Sequence, residues 1–234
     1  MLLYYITDRR GFEGTEAEQR SAVLRRIAEA AQAGVDLIQL REKDLSPREL
    51  EWLAREAVRA MHDNSQTARL LINGRADVAL AWGADGVHLP SGELPASEVR
   101  ALWAKCNSRA PTVGVSAHSV EEVRYAEAHG ADFAVLAPVF EKVQTGGAGI
   151  GLEVLRIACR GPQPPDNTEA ARQSRFAVLA LGGVNLANAA SCVANGAAGI
   201  AGIRLFQVGD LRATVGRLRE IAIQCATTAQ NASR

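Results

Sequence analysis

Short apolar runs and longer amphipathic stretches alternate along most of this chain. The apolar runs are continuous, which is typical of strands buried on both faces of a parallel sheet. The stretches between them are rich in alanine, leucine, glutamate and arginine, with apolar residues at helical spacing. The predicted strands are Leu2–Ile6, Val35–Leu40, Leu70–Ile72, Gly86–Leu89, Thr112–Val115, Phe133–Ala137, Phe176–Leu181 and Gly199–Ala201. The predicted helices are Glu16–Ala33, Pro47–Met61, Ala76–Ala81, Ala96–Trp103, Val120–His129, Leu152–Cys159, Leu186–Asn195 and Leu211–Ile223.

A glycine-containing turn recurs between these elements. Gly34, Gly83, Gly130 and Gly196 each stand where a predicted helix ends and a strand follows. Glycine adopts the left-handed conformation of a helix C-terminus at little cost. Eight β–α pairs are compatible with a closed barrel or a doubly wound sheet, and the repeated turn favours the barrel. We therefore predict an α/β fold with a single (β/α)8 TIM barrel.

The barrel is expected to span residues 1–225. Within it, residues 161–174 are polar and rich in proline. This composition predicts a surface insertion on the face away from the strand ends. Residues 226–234 are predicted to form a flexible tail.

Composition excludes several classes of partner. The chain has 234 residues, of which 47% are hydrophobic, so one barrel with a large core is expected. Lysine plus arginine and aspartate plus glutamate number 26 each, which argues against nucleic-acid binding. No signal peptide is recognisable, and no apolar run approaches the roughly 20 residues that cross a bilayer. The four cysteines are far apart, which argues against zinc and disulfides. We expect a cytoplasmic protein without membrane partners, and leave open whether it forms a homo-oligomer.

The end of the second strand carries a cluster of polar residues. Active sites of (β/α)8 barrels lie where the strands end. Alternation along the strand predicts that Gln39, Arg41 and Lys43 share one side. Two cations and an amide facing one pocket suit a phosphate or carboxylate. The alternative is a salt-bridge network with Glu42 or Asp44, and spacing alone does not decide between the two.

The third and fourth strands end near Asn73 and His88. Asn73 either binds a ligand or caps the following helix, and the cap is favoured for this residue taken alone. His88 stands within an apolar strand, so we interpret it as packed in the barrel rather than catalytic.

The fifth strand ends on Ser116 and His118, two groups that can share or move protons. An imidazole titrates near neutral pH and suits a proton shuttle, with Ser116 orienting its ring. The alternative for His118 is a surface-loop position, but the strand end favours catalysis. Ser119 and Glu122 have the spacing of a capping box at the start of the next helix.

Glycines and an arginine follow the last two strands. Gly182 and Gly183 come after the seventh strand, and Gly202 and Arg204 after the eighth. A glycine pair lets backbone N–H groups approach an anion at the start of a helix. Barrels frequently build phosphate sites from these two loops. We therefore predict that these four residues bind a phosphate.

Nine segments of the chain resemble the thiamin phosphate synthase and TenI superfamily. They are Tyr5–Asp8, Ile38–Lys43, Leu71–Leu80, Gly83–Gly92, Gly114–Ser119, Gly130–Phe133, Ala137–Phe140, Leu181–Val184 and Gly196–Ala201. The resemblance covers nearly all of the chain outside the insertion and the tail. It implies a (β/α)8 barrel in thiamin biosynthesis that binds a small phosphorylated thiazole.

The synthase branch of this superfamily joins hydroxymethylpyrimidine diphosphate to thiazole phosphate and needs Mg2+. Gly74 stands where the resemblance places one metal-binding acid, and Glu93 where it places another. The synthase lysine is displaced in the segment 142–145, and Arg204 replaces a serine. Loss of one carboxylate leaves a hard cation short of oxygen ligands. The Gly-rich loop 141–151 fits neither branch well.

The segments Asn73–Arg75 and Leu89–Gly92 instead look like the TenI branch. The resemblance implies a thiazole tautomerase, an isomerase that aromatises carboxythiazole phosphate through the histidine aligned with His118. We therefore predict a tautomerase with His118 as the shuttle and without metal or other cofactor. Two alternatives remain. One is a synthase (thiamine-phosphate diphosphorylase, a transferase) with Mg2+ at a site reworked around Glu93, and the other is a non-catalytic barrel that binds thiazole phosphate.

Overall fold

The computed structural model describes residues 1–106, 109–141, 148–161 and 176–232. Parallel strands pair in chain order and close into a barrel where β8 meets β1. The strands are β1 Leu2–Ile6, β2 Leu37–Leu40, β3 Arg69–Asn73, β4 Gly86–Leu89, β5 Thr112–Ala117, β6 Phe133–Leu136, β7 Ala177–Ala180 and β8 Gly199–Gly202. The predicted (β/α)8 TIM barrel is confirmed.

Helices follow the strands and surround the barrel. They are α1 Glu16–Ala33, α2 Pro47–His62, α3 Ala76–Trp82, α4 Ala96–Cys106, α5 Val120–Ala128, α6 Gly151–Arg160, α7 Ala189–Ala194, α8 Arg204–Gln207 and α9 Leu211–Ala232, with a 3-10 turn at Arg9–Gly11. Most agree with the sequence prediction to within a few residues. The helix after β7 begins later than predicted, because the Asn185 side chain accepts from the backbone N–H groups of Ala187 and Asn188 and holds a turn there. Apart from Gly161, the predicted insertion lies outside the described residues.

The last helix differs from the predicted tail. We expected residues 226–234 to be flexible, but α9 continues through Ala232. The hydroxyls of Thr227 and Thr228 donate to the carbonyls of Ile223 and Gln224, one turn earlier. Within the described ranges, no helix is long and apolar enough to cross a membrane.

Apolar side chains fill the interior of the barrel below its mouth. Tyr4, Phe133, Val135, Leu179 and Ala201 belong to this inner cluster. Tyr4 meets Phe133 edge to face, with ring centroids 5.4 Å apart. Helix-facing residues of the same strands form a second, larger core under the helices. The barrel is therefore a packed structure rather than an open channel.

A buried arginine ties the loop after β1 to the loop after β2. The Arg9 guanidinium contacts Glu42 at 3.2 Å, Asp44 at 2.7 Å and Glu16 at 2.8 Å. The Thr7 hydroxyl donates to Glu42 at 2.6 Å. Hydrogen bonds from Arg9 lower the pKa of Asp44 to about 2. This network fixes the two loops that border one side of the mouth.

Candidate active site

A chain of four hydrogen-bonded side chains crosses the barrel from β2 to β5. The Gln39 amide nitrogen donates to the Tyr4 hydroxyl at 2.8 Å. The Tyr4 hydroxyl lies 3.1 Å from His88 Nδ1, and His88 Nε2 lies 2.9 Å from the Ser116 hydroxyl. Gln39, Tyr4 and His88 are buried, whereas Ser116 is half-buried. The chain therefore leads from the interior of the barrel to its mouth.

His88 stays neutral within this chain. Burial and, to a smaller extent, the positive charge of Arg41 together lower the pKa of His88 to about 3. A neutral imidazole has one N–H donor and one acceptor, and both ring nitrogens are engaged here. This placement agrees with our interpretation of His88 as a packed residue of the barrel.

The predicted cluster of Gln39, Arg41 and Lys43 is only partly assembled. β2 ends at Leu40, so alternation no longer applies beyond it. Gln39 faces the interior, and Arg41 is half-buried and close enough to His88 to affect its pKa. Lys43 lies in the exposed turn that follows. Across the described residues, the Arg41 side chain has no hydrogen-bond partner, so it is free to bind a ligand.

The alternative reading of that cluster, a salt-bridge network of Arg41 and Lys43, is wrong. The carboxylates of Glu42 and Asp44 bind Arg9 instead. Sequence spacing did not reveal this because Arg9 lies more than 30 positions earlier, on the neighbouring loop.

Asn73 does not cap the following helix. The N-cap of α3 is Arg75, which makes no capping side-chain bond. Two residues separate Asn73 from Ala76, the first residue of that helix, so its amide is out of register with the free N–H groups. The cap interpretation is wrong, and Asn73 is half-buried at the end of β3.

Glu93 approaches the backbone of Gly74. A Cβ atom at Gly74 would lie 3.7 and 3.8 Å from the two carboxylate oxygens of Glu93. The carboxylate thus faces the position where a side chain at residue 74 would begin. In the part of the chain that the structure describes, no three His, Cys, Asp or Glu residues form a metal-binding group.

His118 is held by the backbone rather than by Ser116. Its Nδ1 lies 2.8 Å from the carbonyl oxygen of Ala137. A carbonyl oxygen can only accept, so Nδ1 of the exposed ring is the donor of this hydrogen bond. The His118 backbone N–H donates to Glu122 at 2.8 Å. The predicted orienting role of Ser116 is wrong, because the Ser116 hydroxyl bonds to His88.

The predicted capping box is also only half formed. Ser119 accepts from the Glu122 backbone N–H at 3.2 Å, so the cap itself is present. The Glu122 carboxylate instead accepts hydrogen bonds from the His118 backbone N–H and the Ser91 hydroxyl. It therefore links the loop after β5 to the loop after β4.

The loop after β7 presents backbone donors at the mouth. The N–H groups of Gly182, Gly183 and Val184 find no acceptor among the described residues. Gly183 has φ of +65°, and a Cβ atom there would lie 2.7 Å from Phe140 Cβ. A Cβ atom at Gly182 would lie 2.6 Å from Pro138 Cα. The glycine pair therefore serves the packing of this loop as well as leaving its donors available.

The two residues singled out after β8 have different surroundings. Gly202 lies in the strand, where a Cβ atom would come within 3.0 Å of Leu205 Cβ, so close packing of α8 explains this glycine. Arg204 begins α8, is exposed, and has no ion pair with any other described residue. Their predicted role in phosphate binding stays a prediction.

Sequence reasoning missed Tyr4, which links Gln39 to His88. A signal was available, because Tyr4 and Tyr5 are adjacent in a strand and must point to opposite faces. Tyr5 points to the helices and donates to Gln207 at 3.2 Å. One of the two phenols therefore had to enter the barrel, where a buried hydroxyl needs partners.

Comparison with known proteins identifies close relatives. The model of a family described as thiamine monophosphate synthase matches residues 3–206. An Aquifex aeolicus protein, provisionally named thiamine-phosphate synthase 2, is 42% identical over 87% of this chain and 96% of its own length. The thiamine-phosphate synthase of Moorella thermoacetica is 36% identical over 82% of this chain and 84% of its own. The structure of thiamine phosphate pyrophosphorylase from Pyrococcus furiosus is 29% identical, covers 96% of both chains and has a TM-score of 0.74.

These relatives correct the predicted activity. Resemblance to the thiamin phosphate synthase and TenI superfamily is confirmed. The choice of the tautomerase branch, and of an isomerase as the enzyme class, is wrong, because the relatives carry the name of the synthase, a transferase. One observation behind that choice was Gly74, which was interpreted as the loss of a metal ligand; in the fold the Glu93 carboxylate faces the same space.

Proposed function

Because this chain belongs to the thiamine monophosphate synthase family, we propose that it is a thiamine-phosphate synthase. Its substrates are hydroxymethylpyrimidine diphosphate and thiazole phosphate. The reaction forms a bond between the two heterocycles and releases diphosphate. The expected location of the enzyme is the cytoplasm, and whether it forms a homo-oligomer is left open.

The observation that carries this proposal is the presence of two separate groups for anions at the mouth. Arg41 follows β2 with its guanidinium unpaired among the described residues. The free N–H groups of Gly182 and Gly183, with Arg204 nearby in sequence, follow β7 and β8. Two phosphorylated substrates need two such places. We assign the diphosphate to the Arg41 side and the thiazole phosphate to the glycine side.

The remaining residues of the mouth orient the substrates. Ser116 ends the polar chain at the mouth and offers a hydrogen bond to a heterocycle. Asn73, half-buried at the end of β3, adds an amide whose side chain has no hydrogen-bond partner among the described residues. The packed barrel interior beneath them excludes water from the reacting carbon. Lys43 stands in an exposed turn, where it adds positive charge near the diphosphate. The displaced lysine of segment 142–145 lies outside the described residues.

The residues present fit a Mg2+ ion that arrives with the diphosphate. Mg2+ is commonly held by one or two carboxylates together with substrate phosphates. Glu93 supplies one carboxylate beside Gly74, and Asn73 an amide oxygen at the adjacent strand end. Mg2+ bound there supplies positive charge to the diphosphate oxygens. In this proposal Glu93 has the role that the sequence assigned to it in the synthase alternative.

Arg41→Ala is expected to raise the KM for the pyrimidine diphosphate by about 10- to 100-fold, since a charge-assisted hydrogen bond contributes about 1.5–3 kcal/mol. Steady-state kinetics with each substrate varied in turn measures the effect. Arg25→Ala, which removes an exposed arginine on α1, is the matched control and should behave as wild type. If Arg41→Ala changes only thermal stability, Arg41 does not bind the diphosphate.

His118→Asn is expected to change synthase turnover by less than about threefold, in contrast to the 10²- to 10⁴-fold loss when a general acid–base group is removed. Joining the two heterocycles moves no proton to or from a carbon, so the reaction has no need of the shuttle that we first assigned to His118. Single-turnover kinetics checks this, and a loss above a hundredfold would return His118 to the catalytic groups.

Genetic complementation tests the function in a cell. A bacterial strain that lacks its own thiamine-phosphate synthase should grow without added thiamine when it expresses this chain. Expression must be verified by immunoblotting of the soluble fraction, with a strain carrying an empty vector beside it. Failure to grow, with folded protein present and both precursors made by the strain, would argue against the proposal.

A further inference from the structure

The chain Gln39–Tyr4–His88–Ser116 has a direction that follows from counting donors and acceptors. The Gln39 amide donates to the Tyr4 oxygen, so the Tyr4 proton is left for His88 Nδ1 at 3.1 Å. A neutral imidazole whose Nδ1 accepts must carry its proton on Nε2. His88 Nε2 then donates to the Ser116 oxygen at 2.9 Å. The proton of Ser116 is therefore not used inside the chain.

Burial keeps this direction fixed. Tyr4 is fully buried, which raises its pKa far above the usual range, so the phenol keeps its proton. Burial lowers the pKa of His88, so the ring does not gain a second proton at neutral pH. A buried donor or acceptor left without a partner costs free energy, which favours complete pairing along the chain.

Ser116 is the point where this chain meets the mouth. It is half-buried, and among the described residues its hydroxyl bonds only to His88. We propose that Tyr4 and His88 are positioning residues that hold the Ser116 hydroxyl as a hydrogen-bond donor to an acceptor atom of a substrate in the mouth. The acceptor is a lone pair, either on a ring nitrogen of the pyrimidine or on a phosphate oxygen.

The tautomer of His88 tests the direction without any reference to activity. The protein contains four histidines, so the ring nitrogens can be assigned in a long-range ¹H–¹⁵N spectrum with a His88→Gln variant as the reference. We expect a protonated Nε2 and an unprotonated Nδ1 for His88, unchanged from about pH 5 to pH 8, where an unperturbed histidine would titrate. A proton on Nδ1 would reverse the donors and acceptors along the chain. The Ser116 hydroxyl would then donate to His88 Nε2 instead of to a substrate, and the proposal would be overturned.

Binding measurements then test whether a substrate accepts the Ser116 proton. This part of the test rests on the proposed function. The probes are thiazole phosphate, hydroxymethylpyrimidine and inorganic diphosphate, each titrated by calorimetry. Ser116→Ala should weaken binding of either the pyrimidine or one of the phosphate probes by about fivefold to a hundredfold. The affected probe identifies the acceptor as a ring nitrogen or as an oxygen.

Tyr4→Phe should reproduce the loss seen for Ser116→Ala, because the phenol acts through the serine. In the double variant Tyr4→Phe/Ser116→Ala the two effects should not add. Tyr5→Phe is the matched control: it removes a buried hydroxyl from the same strand, but one that bonds to Gln207 outside the barrel. Equal effects of Tyr4→Phe and Tyr5→Phe, or additive effects in the double variant, would overturn the positioning role. The expected His88 tautomer combined with no synthase activity would instead count against the proposed function alone.

Discussion

Arg9→Met is expected to lower the free energy of unfolding by about 3–5 kcal/mol, the usual cost of leaving a buried charge without its partner. The side chains of Arg9 and Glu42 are only 4% and 1% exposed. Removing the guanidinium leaves the Glu42 carboxylate with the Thr7 hydroxyl and the Arg9 backbone N–H as donors. Methionine keeps much of the side-chain volume, so the loss reports on charge rather than on packing. Urea denaturation measures it.

Arg217→Met is the control for that experiment. Arg217 pairs with Glu220 on the surface of α9, where the two side chains are 56% and 59% exposed. Exposed pairs of this kind contribute about 0–1 kcal/mol, so this variant should unfold almost as wild type does. Similar losses in both variants would show that the Arg9 network does not stabilise the loops at the mouth.

The same network predicts a dependence of stability on pH. Hydrogen bonds from Arg9 lower the pKa of Asp44 from 3.8 to about 2. The folded value lies below the unfolded one, so this contribution is present above the unfolded pKa and disappears as the pH falls through the folded pKa. Wild type should therefore lose this stability between about pH 4 and pH 2, and Arg9→Met should lose less across that window.

Gly183→Ala is expected to weaken thiazole phosphate binding by at least about tenfold, and to destabilise the fold by more than the roughly 1–2 kcal/mol of a left-handed non-glycine residue. Its added Cβ would lie 2.7 Å from Phe140 Cβ and 2.9 Å from the Glu141 carbonyl oxygen. The loop must move to relieve these contacts, and its free N–H groups move with it. Calorimetry with thiazole phosphate, beside thermal unfolding, measures both effects.

Gly83→Ala separates the two causes. Gly83 has φ of +71°, close to the +65° of Gly183, but a Cβ atom there meets nothing within 4 Å. It lies at the end of α3, away from the mouth. This control should show the conformational cost and unchanged binding. If Gly183→Ala binds thiazole phosphate as tightly as Gly83→Ala does, the loop after β7 is not the phosphate site.

The sequence predicted the barrel because its signal is repeated. Eight continuous apolar runs, separated by amphipathic stretches, each contributed to the same interpretation, so errors at single boundaries did not matter. The glycine turns added a local physical reason, and Gly34 and Gly83 do adopt left-handed conformations. The helix through Ala232 was not predicted, because polar residues such as Thr227 and Thr228 were interpreted by composition alone, whereas their hydroxyls bond within that helix.

The site was predicted only in part, because side-chain pairing across strands is not visible in the sequence. Gln39 and Ser116 were singled out individually, but Tyr4 on β1 and His88 on β4 connect them across the barrel. His118 was predicted to be catalytic from its place after β5, whereas in the structure its Nδ1 donates to a backbone carbonyl. The residue types at the strand ends were therefore enough to predict where the mouth lies. The hydrogen-bond partner of each residue could be identified only from the structure.

Two of the positions that entered the choice between branches are distant in sequence. Gly74, taken alone, suggested a missing metal ligand. The fold brings the Glu93 carboxylate to within 4 Å of where a side chain at residue 74 would begin, so one carboxylate serves the space between the two loops. A glutamate is longer than an aspartate, and a neighbouring glycine leaves it room. No pattern within either segment records this compensation.

The most direct test of the central claim is the conversion of both substrates by the purified protein. Hydroxymethylpyrimidine diphosphate and thiazole phosphate are supplied together with Mg2+, and then each is omitted in turn. We expect thiamine phosphate and diphosphate to appear in equal amounts, only when both substrates are present. If the protein binds both substrates but forms no thiamine phosphate, the assignment as a thiamine-phosphate synthase is contradicted.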